Sequence, residues 1–277
     1  MIKDYYTLSK PGIIYGNALT VIAGFLLASR GGIDFGLLCI TLVGLSCVVA
    51  SGCVFNNVID RDIDAVMERT KKRPLVRGVI TIEYALLYGV IVGVFGFSIL
   101  IYGTNIFAVG ASLIGFLVYV FGYSLWLKRT STHGTIIGSI SGAMPILVGY
   151  VTVRGEVDVV AVILFFILAL WQMTHSFAIA LYRLDDYKRA HIDVLPVKKG
   201  VHRTKIQMLI YTGLFGIATL LLFVTGETGW IYFFVMGLVS FSWILYSIKG
   251  FYIPISEDKQ WSKTMFLFSI EIGRAHV

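Results

Sequence analysis

Charge is scarce in this chain. Asp, Glu, Lys and Arg make up 14% of its 277 residues, while 57% are apolar or aromatic; soluble domains carry about a quarter charged residues. Too few charges remain to coat a surface in water, which excludes an ordinary soluble fold. Cysteine is equally thin, with only 3 in the chain, Cys39, Cys47 and Cys53. Odd in number, gathered in one apolar run and without paired spacing, they exclude a disulfide framework and a cysteine metal centre. They read as small packing residues. Proline is limited to 5 positions and no biased tract marks a linker. With no room between apolar runs for a soluble domain, the chain reads as one domain over residues 1–270.

Apolar sequence of membrane-spanning length is what the chain has in quantity. Runs at 13–29, 35–57, 82–102, 106–126, 135–153, 158–182, 206–224 and 230–248 each approach the length needed to cross a bilayer. A ninth begins at Thr264 and is cut short, and the ending 271–277 reads as a non-native tail. The expected fold is therefore an all-α polytopic membrane protein in contact with the lipid bilayer. Two connections are long and charged, 59–81 and 183–205, and they follow the second and sixth runs. They occupy corresponding places in two successive groups of four helices. Small residues four apart, Gly12 and Gly16, Gly89 and Gly93, Gly138 and Gly142, suit close helix approach.

A net charge of +7 invites a nucleic-acid reading, but the placement of the charges argues against it. Of the 23 lysines and arginines, 20 fall on one side of the expected membrane, only Arg30 and Arg154 on the other, and Arg274 in the tail. This is the positive-inside asymmetry. It places the N-terminus and both long connections in the cytoplasm, and no nucleic acid is needed as partner.

The acids are few, and three oxygen-bearing side chains recur at four-residue spacing where the second apolar run ends: Asn56, Asp60 and Asp64. On a helix this spacing stacks them on one face, about 6 Å apart along the axis. Glu68 extends the row by one turn. Like charges so placed repel, and acids beside a span tend to mark function. A divalent cation removes the repulsion. Oxygen-only ligands favour a hard one such as Mg²⁺, which also binds diphosphate. Arg69, Lys72, Arg73 and Arg77 follow directly, ready for the remaining charge of a diphosphate. At the end of the sixth run lie Asp185 and Asp186, flanked by Arg183, Lys188 and Arg189. As a surface loop this second cluster is unremarkable; at the same depth as the first it gains weight as a second acidic face. His175 lies two turns before that end, an ionisable group inside a span.

These residues resemble the UbiA-type intramembrane prenyltransferases, whose first motif reads Asn-x-x-x-Asp-x-x-x-Asp. The match takes in Lys10 to Asn17, Asn56 to Gly78, Lys128 to Thr130, Gly142 to Pro145, Trp171 to His175, Asp185 to Tyr187 and Val194 to Val197. It is similar in particular to the haem-modifying branch. The resemblance implies nine transmembrane helices around a central cavity, the ninth truncated here. The implied activity is transfer of farnesyl from farnesyl diphosphate to the vinyl group of haem b, with Mg²⁺ as cofactor, in the bacterial inner membrane. It also implies that Asn56, Asp60, Asp64, Asp185 and Asp186 hold metal and diphosphate. Arg69, Lys72, Arg73, Arg77, Lys128 and Arg129 would meet diphosphate or haem propionates, and His175 is a haem-pocket candidate. A terminal oxidase or haem A synthase would be the downstream partner. One departure stands out: the wider superfamily has Asp-x-x-x-Asp in its second motif, whereas here Tyr182 precedes Asp186 by four and Arg189 follows Asp185 by four. The competing readings are a prenyltransferase for a quinone or chlorophyll precursor, and a non-enzymatic membrane transporter binding haem or lipid. Transporter sites lie near the bilayer midplane in broken helices, whereas these acids sit at an edge.

Overall fold

Within a bilayer every backbone N–H and C=O must be satisfied inside the protein, and a helix does this within a single segment. The apolar runs accordingly become helices. The computed structural model describes residues 2–275, with side chains through Glu271, and holds no strand among the described residues. A short α1 (Ile2–Leu8) leads into α2 (Pro11–Ser29) and α3 (Phe35–Ile59). Next come a short α4 (Arg61–Val66), α5 (Ile82–Gly103) and α6 (Ile106–Leu117). The last continues through a π-wound stretch, Val118–Leu127, into the single turn α7 (Lys128–Thr130). The second half holds α8 (Gly134–Arg154), α9 (Val159–Tyr182), α10 (Leu184–Arg189), α11 (Leu195–Lys198), α12 (Gly200–Val224) and α13 (Trp230–Lys249). A 3₁₀ turn (Ile255–Glu257) opens α14 (Asp258–Ala275).

Among the described residues eight segments are long and apolar enough to cross a membrane, each overlapping an expected run. The protein is an all-helical integral membrane protein. Three of the helices that leave tight turns on the charge-poor end start with side-chain caps. Asp34 accepts from the Leu37 amide, Asn105 from those of Phe107 and Ala108, and Asp158 from that of Ala161. Each satisfies amides that a helix start leaves open.

Two expectations are corrected. The seventh helix starts at Gly200, so the expected loop residues up to Lys205 are helical, and Lys205 is buried. Its ammonium is satisfied by the Gly250 carbonyl at 2.6 Å and Asp258 at 2.5 Å. The last helix starts at Asp258 rather than Thr264. Residues 276–277 of the expected tail, and the side chains after Glu271, lie outside the described residues.

Packing runs through small residues. The faces of α3 and α5 meet at Gly89 and Gly93, where a Cβ would touch Val54 and Ser51. Gly12 and Gly16, by contrast, have open space around them and mediate no helix contact. The tightest approach of backbone to backbone joins α2 to α8. A Cβ at Gly149 would sit 2.2 Å from the Val21 carbonyl oxygen, and one at Gly24 at 2.2 Å from that of Ile146. Neither helix yields cheaply, because backbone is what it would strike. Gly149→Ala is expected to lower stability by roughly 1–3 kcal/mol, read as a lower unfolding temperature in detergent. An unchanged melting curve would show that the two helices are not held at this distance.

Candidate active site

The acid row straddles a joint. Asn56 lies in the last turn of α3, Asp60 between α3 and α4, and Asp64 within α4. Backbone bonds from the Asp60 amide to the Asn56 carbonyl (2.9 Å) and from the Asp64 amide to the Asp60 carbonyl (2.8 Å) keep the four-residue register across the joint. All three side chains are buried. Asn56 donates through Nδ2 to Asp60 Oδ2 (2.9 Å) and Ser124 Oγ (2.8 Å), while its Oδ1 accepts from Lys10. Asp60 Oδ2 also accepts from Lys128, and Asp64 pairs with Arg73. Asp60 Oδ1 is buried with no hydrogen-bond partner among the described residues. A buried carboxylate oxygen left so is unusual and asks for an occupant.

Glu68 does not continue the row. The helix stops at Val66, Met67 is extended, and Glu68 is exposed and paired with Lys71. That lysine holds its carboxyl below the usual range. Arg69, Lys72 and Arg77 are also exposed, on the outer rim. Arg129 grips the joint: its guanidinium donates to both Asp62 oxygens (2.8 and 2.6 Å) and to the Ile59 carbonyl (2.6 Å). That contact is the main reason Asp62 is lowered to about 2.

The second acidic segment docks beside the first. Ile63 and Met67 pack with Ile192, and with Tyr187, Ala190 and Val194 around them. Of the neighbouring pair, Asp186 is buried and bound to Arg189, whereas Asp185 is exposed. Consecutive residues on a helix face different ways, and here only one turns inward. Tyr187 brings the segments together electrically, with Lys128, Arg69 and Asp186 around it, and its burial pushes the phenol above its usual range.

Three contributors were not singled out from the sequence. Lys10 holds the left-handed backbone region (φ 53°, ψ 67°), which a non-glycine residue seldom adopts. Pro11 follows it, and the Lys10 ammonium donates to Asn56 Oδ1. Its Lys-Pro step was the one available signal. Tyr123 and Ser124 come from the π-wound stretch; such windings are rare and recur at functional sites. The Tyr123 ring stacks on Tyr119 at 6.1 Å, interplanar angle 16°.

Lys10, Arg73 and Lys128 against Asp60 and Asp64 leave one positive charge, so the cluster as it stands favours an anion. Burial is the chief reason the Lys10 ammonium is lowered to about 8. Above that pH it is neutral until an anion arrives. Affinity for inorganic diphosphate is therefore expected to fall as pH rises past about 8. The Lys10→Met protein is expected to lack this step, and a step that persists in it would assign the titration elsewhere. The oxygen donors suited to a hard cation are Asp60, Asp64 and Asn56. No three His, Cys, Asp or Glu side chains form a ready metal cage among the described residues. This donor set fits a cation that takes one or two carboxylates and completes its shell with phosphate oxygens and water.

His175 lies deeper, between α9 and α14. Its ring stacks on Trp171 at 4.8 Å and meets Phe266 at 5.1 Å. A separate lateral groove of about 620 Å³ lies between α1, α2, α3 and α5, with Tyr5, Ser9, Cys47, Ala50 and Tyr88 in its walls. None of the acids lines it.

The UbiA prenyltransferase family profile matches residues 17–270. The protoheme IX farnesyltransferase of Cronobacter sakazakii is 50% identical over 270 residues, 98% of this chain and 91% of that protein. That of Klebsiella pneumoniae is 49% identical over the same shares. Among solved structures, a digeranylgeranylglyceryl phosphate synthase superposes with a TM-score of 0.82 at 22% identity, covering 99% of this chain and 96% of the other. A UbiA homologue from Archaeoglobus fulgidus bound to GPP and Mg²⁺ gives 0.69 at 16%, covering 99% of each chain. At such identities these two speak to the fold alone. The profile and the half-identical relatives together place this chain in the UbiA prenyltransferase family.

Proposed function

We infer that this chain is an integral-membrane prenyltransferase that joins the farnesyl group of farnesyl diphosphate to the vinyl group of haem b, giving haem o and diphosphate. The observation that carries this reading is the buried acid row beside Lys10, Arg73 and Lys128, in a chain half identical to protoheme IX farnesyltransferases over nearly its full length. Asn56, Asp60 and Asp64 would hold Mg²⁺, with Asp186 buried on the segment docked beside them and Asp185 at the rim. Bound there, Mg²⁺ supplies Lewis-acid stabilisation of a departing diphosphate.

The chain's own residues do the rest. Lys10, Arg73 and Lys128 turn from their carboxylate and amide partners to the diphosphate oxygens as negative charge grows there. Arg69, Lys72 and Arg77, on the exposed rim, meet diphosphate on arrival or the propionates of haem. The C1–O bond of farnesyl diphosphate breaks, and its electron pair leaves with the diphosphate. The vinyl π electrons of haem form the new bond to C1. The cation left beside the porphyrin takes up water and loses a proton, giving a hydroxyethyl-farnesyl substituent. The faces of Tyr119 and Tyr123 offer π density to the allylic cation. The apolar surroundings keep water away until the carbon–carbon bond has formed. The asymmetry of lysine and arginine supports a cytoplasmic place for this end of the bundle in a bacterial cell, with a terminal oxidase or haem A synthase as the taker of the product.

The test is to incubate membranes containing the protein with haem b, farnesyl diphosphate and Mg²⁺ and to analyse extracted haem by mass. Haem o is the expected product. Prenylation of a quinone-type acceptor with none of haem would sink this reading.

A further inference from the structure

Three neighbours fix which way the Asn56 carboxamide points. Its NH₂ has two hydrogens, and both are spent, on Asp60 Oδ2 at 2.9 Å and on Ser124 Oγ at 2.8 Å. Its Oδ1 accepts from the Lys10 ammonium, which can only donate. Ser124 has a single hydroxyl hydrogen, and it goes to the Tyr119 carbonyl at 2.8 Å. Toward Asn56, therefore, the hydroxyl oxygen can only accept. A reversed amide would set its oxygen against the lone pairs of both Ser124 and Asp60.

The reach of that hydroxyl is a product of the π-wound stretch. Elsewhere in the chain Ser29 and Ser112 donate to the carbonyl four residues back, as serines in α-helices do. Ser124 donates five back, the step on which a π-winding closes its bonds. The same stretch keeps a register against the acid row: Ser124 meets Asn56 and Lys128 meets Asp60, each pair 68 residues apart. A neutral acceptor and a cation are thus delivered to successive members of the row. Ser124 is 0% exposed and Asn56 4%, so neither side chain has bulk water as an alternative partner.

Of the three neighbours, two are charged, and they are the ones an arriving ligand calls on. A cation draws on Asp60, and diphosphate draws on Lys10. Ser124 is neutral, buried and tied to backbone, and it stays. We propose that Ser124 is a positioning residue for the cation site, holding Asn56 Oδ1 toward the metal while Asp60 and Lys10 exchange partners. Without it the carboxamide is free to turn and present its NH₂, which repels a cation. The proposal rests on Asn56, Asp60 and Asp64 being the Mg²⁺ donors.

The test uses the purified full chain in detergent micelles with inorganic diphosphate. It is titrated with Mn²⁺ in place of Mg²⁺ and followed by the electron paramagnetic resonance of free Mn²⁺. Ser124→Ala is expected to bind Mn²⁺ about 10-fold more weakly than the wild type, as loss of a group that orients a metal ligand does. Ser124→Cys fills the same space with a poor acceptor and is expected to show the same loss, which a cavity would not explain. An Asn56→Asp background supplies the control on orientation, because a carboxylate offers an oxygen whichever way it turns. There Ser124→Ala is expected to change Mn²⁺ affinity less than about twofold. A Ser124→Cys protein with wild-type affinity overturns the positioning role, and so does an equal loss with and without Asn56→Asp. Either result, in a wild type that binds Mn²⁺, leaves the acid row standing as the metal site. A wild type that binds none in the presence of diphosphate overturns that assignment, and the role of Ser124 with it.

Discussion

Asp60→Asn is expected to lower prenyl transfer about 1,000-fold, the scale on which removing one preorganised charge-stabilising group acts, while leaving the protein folded. Asp60 is 1% exposed, and its Oδ2 is already shared by Lys128 and the Asn56 amide. The oxygen without a partner, Oδ1, is the one a cation would use. Asparagine has the same shape and can still offer one oxygen to Lys128, so packing survives. The negative charge does not, and three cations then surround a single remaining carboxylate, Asp64. The deficit should appear in kcat and in the Mg²⁺ concentration needed, with unchanged elution and melting of the purified protein. Asp185→Asn makes the contrast: on an exposed side chain, the loss is expected to stay under about tenfold. A variant at position 60 with a third or more of wild-type turnover at saturating Mg²⁺ would remove this residue from the site.

The second large effect concerns stability. Lys205→Met is expected to cost about 3 kcal/mol or more, because it leaves a carboxylate without its cation in a buried setting. Lys205 is 7% exposed, binds Asp258 and the Gly250 carbonyl, and lies over the Trp261 ring at 5.3 Å. Trp261 in turn donates to the Tyr246 carbonyl at 3.0 Å. One ammonium thus joins α12, the end of α13 and the start of α14. Replacing both partners, Lys205→Met with Asp258→Leu, is expected to recover most of the loss, since an apolar pair carries no desolvation penalty. Thermal unfolding of the single and double variants measures this. A single variant as stable as the wild type would mean that α14 is held by its apolar face alone.

The spans were legible in the sequence because lipid leaves the chain one local solution. A run such as 82–102 must close its own hydrogen bonds, and it became Ile82–Gly103. The register of Asn56, Asp60 and Asp64 was legible too, since spacing along a helix is a local property and survives even the joint at Asp60. Partnership was not legible. Lys205 looked like loop because a lysine in a span is costly, and what makes it tolerable is Asp258, 53 residues on. Lys10 counted only as one of the 20 cations on the charge-rich side, and what draws it inward is Asn56, 46 residues on.

The same division separates Asp185 from Asp186 and ends the acid row before Glu68. Composition, hydropathy and short-range spacing determined a helical membrane protein with its acids gathered at one edge. Tertiary structure alone decided which acid turns inward, which oxygen is left bare and which cation stands beside it. Helix formation depends on neighbours within about four residues, whereas burying a charge depends on a partner that only the folded chain brings near.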